Sequence, residues 1–95
     1  IILIHTSFTN KIEEINMKRI NILKNKFNLP VSYGNHSSLI DTLTNSIFYE
    51  PESIFFYVKL NKKLNFPDNK HSINLNKIDN ILEVIQKNMK ISGFK

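Results

Sequence analysis

The sequence predicts an α/β fold of about three parallel strand–helix units, and three observations carry that reading. Strand and helix signals alternate along the 95 residues. The strand segments are continuous apolar runs, as in sheets that expect cover on both faces. Prolines and a glycine punctuate the joints, at Pro30, Pro51 and Gly93. Such alternation argues for a parallel sheet with right-handed crossover helices. Three units do not close a barrel. They make part of one, or a slice of an open sheet.

Each element has its own warrant. Residues 1–6, IILIHT, read as a fully buried strand. The chain opens inside it at Ile1, which reads as a truncation. Residues 10–27 read as a helix. Thr9 or Asn10 can cap it, Glu13 and Glu14 sit in the first turn, and Lys24 and Lys26 in the last, as the helix dipole prefers. Its apolar stripe is Ile12, Ile15, Ile22 and Leu23, widened by Ile20 and Phe27. Pro30 bars continuation and pushes Leu29 toward extended geometry.

Residues 31–34 form a short second strand. Residues 38–49 read as a second helix, with Leu39, Leu43 and Ile47 spaced four apart. The YEPES segment breaks it. Residues 53–60, SIFFYVKL, are the third strand, rich in aromatic and branched side chains. Residues 61–72 read as a loop. The last helix spans about 75–91, where Leu75, Ile78, Leu82, Ile85 and Met89 follow steps of three and four. Gly93 stops it.

Composition excludes several classes. Hydrophobic residues make up 41%, ordinary for a folded protein. There is no cysteine, hence neither a disulfide scaffold nor a thiolate metal site, and the chain is expected in the cytoplasm. No apolar run approaches the roughly 18 residues that span a membrane. The net charge is +5, but the lysines are scattered rather than grouped with aromatics, and Asn, Lys and Ile share AT-rich codons. Neither nucleic acid nor membrane is expected as a partner.

The segment PVSYGNHSS, residues 30–38, sets a glycine, an amide and an imidazole where a strand runs out. On composition alone it is a turn. With its neighbours it resembles the Leu-Pro-Val-Gly-Tyr-Ser-Asp-His-Thr segment of the N-acetylneuraminate (sialic acid) synthase family, which includes the legionaminate and pseudaminate synthases. ILIHTS and EEINMKRINILKNKFNLP resemble that family's strand ending in Cys-Thr-Ser and its following helix. KLNKKLNFPDNKHSINLNKIDNILEVIQ resembles its Pro-Asp-His loop and final barrel helix. The match is collinear over nearly the whole chain.

The resemblance implies a partial TIM barrel, with residues 1–95 as the C-terminal fragment of the barrel domain and its last three of eight units. It implies condensation of phosphoenolpyruvate with an N-acetylated hexose of the N-acetylmannosamine type. It implies a divalent metal, Mn or Mg, with His36 as a ligand. Thr6 and Ser7 fall on substrate-binding positions, and Asp68 on a catalytic one. Other positions depart from the family. Tyr57 stands at the second metal histidine, and Phe55 and Phe56 at a Glu and a Lys. Gly34 replaces the phosphoenolpyruvate-binding serine, Asn35 an aspartate, and Asn69 the histidine after Pro67 and Asp68. His5 and His71 read as polar fillers. Apolar positions thus survive better than chemical ones. The chain alone is expected to be inactive, or a non-catalytic remnant that binds or assembles. Its open sheet is expected to be covered by self-association or by the missing barrel half.

Overall fold

Three strands run parallel in chain order: β1 (Leu3–Thr6), β2 (Val31–Asn35) and β3 (Ile54–Phe56). The structure, a computed structural model, describes residues 1–8, 11–60 and 72–93. Sequential strands are neighbours, as in a barrel wall. The register sets Thr6 opposite Gly34 and Gly34 opposite Phe55, one row across the sheet. No closed barrel forms among the described residues.

The third strand departs from its expected length. It breaks at Tyr57 because β2 ends at Asn35 and offers no further partner. The chain continues as β4 (Val58–Lys59), which pairs in parallel with β5 (Ile73–Asn74). The Tyr57 carbonyl accepts the Ile73 amide at 2.9 Å. β5 lies at the edge of the expected loop, and its Ile73 joins the core.

The first helix is also shorter than expected. Residues Ile12–Glu14 make a single 3-10 turn, and α1 runs only from Lys18 to Phe27. Asn16 interrupts them with a φ of 50°, a left-handed conformation that asparagine tolerates better than most residues. The break is held from the sheet: His5 Nε2 donates to the Ile15 carbonyl at 3.0 Å, and Ser7 Oγ to the Glu14 carbonyl at 3.3 Å. It changes the phase of the helix. Ile15, Met17 and Ile20 are buried, whereas Ile12, Ile22 and Phe27 of the expected stripe are exposed.

The second helix, α2, spans Ile40–Ser46 and tightens into a 3-10 turn at Ile47–Tyr49. Lys24 Nζ donates to the carbonyls of Tyr49 (2.8 Å) and Glu50 (2.6 Å), so a lysine of α1 caps the end of its neighbour. The last helix, α3, spans Ile78–Ser92 and ends at Gly93 with φ 85°. Its buried centre is Ile81, one residue before Leu82 of the expected stripe, which is exposed.

Helices from all three units pack on one face of the sheet, around Ile20, Leu43, Ile81, Val31 and Tyr33. Strand alternation sends Ile4, Thr6, Ser32, Gly34 and Phe55 to the other face. The expectation of cover on both faces is therefore met on one only, among the described residues. Ile4 is 55% and Phe55 53% exposed, and Ile1 and Ile2 are open to solvent. Among the described residues β1 has a neighbour on one side alone. No described helix is long and apolar enough to cross a membrane.

Candidate active site

The open face is where the chemistry-bearing strand ends converge. Thr6 ends β1, Gly34 sits one residue from the end of β2, and His36 and Tyr57 follow β2 and β3. A cavity of about 300 Å³ lies there, lined by Ile4, Thr6, Phe8, Gly34, Phe55 and Tyr57, among others. A larger groove of about 490 Å³ lies against α3 and is mostly apolar, with Ile54, Leu82, Ile85 and Met89 in its walls. It holds none of the strand-end groups.

The His36 ring meets two aromatic rings. Phe8 meets it edge-to-face at 5.1 Å between centroids and 67°; Tyr57 does so at 5.4 Å and 79°. The Nδ1 atom of His36 is buried. The turn that carries His36 is anchored on both sides. Asn35, only 2% exposed, points toward the helices. Its Oδ1 accepts the Tyr33 hydroxyl at 2.8 Å and the Thr42 hydroxyl at 2.6 Å, and its Nδ2 donates to the Ser37 carbonyl at 2.7 Å. Ser37 Oγ in turn accepts the Leu39 amide at 3.1 Å, just ahead of α2. Burial pushes the Tyr33 phenol above its ordinary value, and the Thr42 hydroxyl opposes that shift.

Gly34 is required by a close approach. A Cβ there would collide with Thr6 Oγ1 and stand 3.3 Å from Ile4 Cγ2. The Thr6 hydroxyl thus leans into the space a side chain at 34 would use. Of the sequence-derived site residues, Thr6 lines the cavity and His36 stands against two of its lining rings, Phe8 and Tyr57. Ser7 spends its hydroxyl on the Glu14 carbonyl and holds the β1 exit loop. Asp68, with Pro67, Asn69 and His71, lies outside the described residues. His5 donates to the Ile15 carbonyl on the helix side, so it serves the fold. Two contributors escaped the sequence reading. Phe8 shares the parity of Thr6, which could have placed it on this face. Thr42 reaches Asn35 only through the tertiary fold.

The chain matches the NeuB family over residues 1–95. No curated protein matches it. Among solved structures it is similar to the N-acetylneuraminic acid (sialic acid) synthetase from Leptospira borgpetersenii serovar Hardjo-bovis in complex with citrate. That likeness has a TM-score of 0.86 and 23% identity, and covers 97% of this chain and 33% of the other. It is also similar to spore coat polysaccharide biosynthesis protein E from Chromobacterium violaceum, with a TM-score of 0.79, 14% identity, and coverage of 95% and 28%. The chain spans a third or less of the length of these proteins. At such identities the likeness carries the fold alone, that of part of a TIM barrel. The match over every residue carries more: the chain belongs to the NeuB family.

Proposed function

We propose that the chain is part of a sialic-acid-synthase-like enzyme, which condenses phosphoenolpyruvate with an N-acetylmannosamine-type sugar to form a nonulosonic acid. Residues 1–95 supply the last three units of its barrel domain. The observation that carries this reading is a cavity lined by Thr6 and Gly34 at the C-terminal strand ends, with His36 next after β2 and against the lining rings Phe8 and Tyr57, where barrel enzymes build their sites. In this reading the Thr6 hydroxyl and the His36 imidazole offer hydrogen bonds to substrate oxygens. Ser7, the second residue at a substrate-binding position, holds the β1 exit through the Glu14 carbonyl, and Asp68 takes the catalytic position.

A divalent metal fits the described residues poorly. His36 Nδ1 is buried and its ring meets the Phe8 and Tyr57 rings edge-to-face. Among the described residues no three His, Cys, Asp or Glu side chains gather. A site of this kind needs three or four donors.

The test is binding before turnover. Phosphoenolpyruvate titrated into the labelled chain should perturb the amide resonances of Thr6, Gly34 and His36. Perturbation confined to other regions, or none, would sink the reading. Phosphate release from phosphoenolpyruvate and an acetamido-sugar is expected to stay at background. Turnover that disappears in His36→Ala would show a complete site instead. The bare apolar face supports a second reading, a non-catalytic remnant that works as an assembly module. A chain that binds no phosphoenolpyruvate yet self-associates through that face would favour it.

A further inference from the structure

We propose that this chain assembles head to tail: the outer edge of β1 and the basic flank of α1 in one copy dock on the outer edge of β3 and the acidic groove beside α3 in the next. Neither edge has a strand partner among the described residues. The inference goes beyond the strand-end site and holds whatever that site binds.

The sheet sets the order. Its strands are parallel and lie in chain order, so β1 of a second copy set beside β3 continues both the direction and the order of the wall. The Leu3 amide donates to the Pro30 carbonyl at 3.0 Å, so the next residue, Ile4, turns its amide to the free side. Strand addition of this kind draws its affinity from main-chain hydrogen bonds. The groove of about 490 Å³ lies beside the receiving edge. Ile54 and Phe56 of β3 and Leu82 and Met89 of α3 give it apolar walls, and among the described residues its charged lining is Glu50 and Glu52. Charge then selects the occupant. On α1, Ile20 faces the core, and Lys24 turns to the end of α2 to reach the Tyr49 and Glu50 carbonyls. At about 3.6 residues per turn, Arg19, Leu23 and Lys26 fall on the opposite flank, away from α2. That flank carries one apolar side chain between two cations. The helix runs from the end of β1 back to the start of β2, which brings Lys26 to the end of the sheet where Glu52 donates its amide to the Val31 carbonyl. Lys24 of the same copy already lies on the Glu50 carbonyl, so Lys26 of the incoming copy is assigned to Glu52. A contact between two different surfaces is heterologous, and it adds copies until a ring closes or a filament runs on.

The experiment is sedimentation velocity on the full chain, as wild type and as two variants that each block one surface. Ile4→Pro removes the outward amide of β1 at an edge position, where proline is tolerated. Leu82→Lys puts a charge into the groove wall at an exposed position. Each variant alone should stay monomeric at concentrations where wild type associates. Mixed, they should form a one-to-one dimer that grows no further, because the first keeps its groove and the second its β1 edge. Association of either variant alone to the wild-type extent, or a mixture that stays monomeric, would overturn the proposal. A second measurement uses wild type only, so no variant has to fold. Carbodiimide joins carboxylates to amines with no spacer. In a mixture of isotope-labelled and unlabelled chain, mass spectrometry should find Lys26 joined to Glu52 between differently labelled copies, in a yield that falls severalfold at high salt. A monomeric wild type, or intermolecular links that leave out this pair, would overturn the proposal too.

Discussion

Asn35 accepts two hydroxyls on one side and donates to a backbone carbonyl on the other. An aspartate of the same shape cannot make that donation while ionised. Asn35→Asp should therefore cost about 1–3 kcal/mol at neutral pH, the penalty for a buried polar group left unsatisfied. Urea denaturation at pH 7 checks it. Tyr33 gives a pH dependence at the other end of the scale. Its folded pKa is raised, so its contribution is fully present below the ordinary value of 10.0 and is lost as pH rises through the folded pKa. Thermal melts should fall more steeply with alkali in wild type than in Tyr33→Phe; parallel curves would remove Tyr33 as the cause. Gly34→Ser should destabilise by about 1–3 kcal/mol through overpacking against Thr6 and Ile4. Thr6→Ala should recover part of that loss, a coupling that a double-mutant cycle measures. The sequence showed each of these residue types but not their partners. Asn35 read as an aspartate lost, because Thr42 comes beside it only when α2 folds back on the strand end.

At the scale of elements, apolar periodicity found three strands and three helices but misjudged where they break and turn. A stripe of isoleucines cannot reveal that Asn16 leaves helical geometry, since the cause is a carbonyl held by His5 from the neighbouring strand. Once the turn is broken, the phase of α1 is set afresh, and Ile22 faces out while Ile20 faces in. β5 was hidden for a similar reason: two residues carry no period. Asn16→Val should cost about 1–2 kcal/mol, the price of a left-handed conformation for a branched residue, whereas Asn16→Gly should be neutral or mildly stabilising. Lys24 was placed for the dipole of its own helix, yet it caps the turn that follows α2. Lys24→Met keeps the stem and removes the charge. It should lower stability by about 1.5–3 kcal/mol in urea, the range for hydrogen bonds to a charged group.

For the whole molecule, the helices give one face of the sheet a core, and the other face keeps its apolar side chains in water among the described residues. A domain of this size buries only about 60–70% of its unfolded surface even when complete. Sedimentation velocity should show the chain associating as concentration rises, and a compact monomer with a sharp cooperative melt would contradict that. The unpartnered side of β1 has a further consequence. Ile1, Ile2, Leu3 and Ile4 carry four uncharged, proline-free side chains beside a row of backbone donors and acceptors that has no strand partner among the described residues. Identical copies of such a segment can stack in register, each hydrogen-bonded to the next, into a cross-β fibril. The working life of the chain in solution is then set by nucleation, with a lag that shortens as concentration grows. Ile2→Lys places a charge on that row and leaves the buried core untouched. It should lengthen the thioflavin T lag severalfold, and an unchanged lag would place the nucleus elsewhere in the chain.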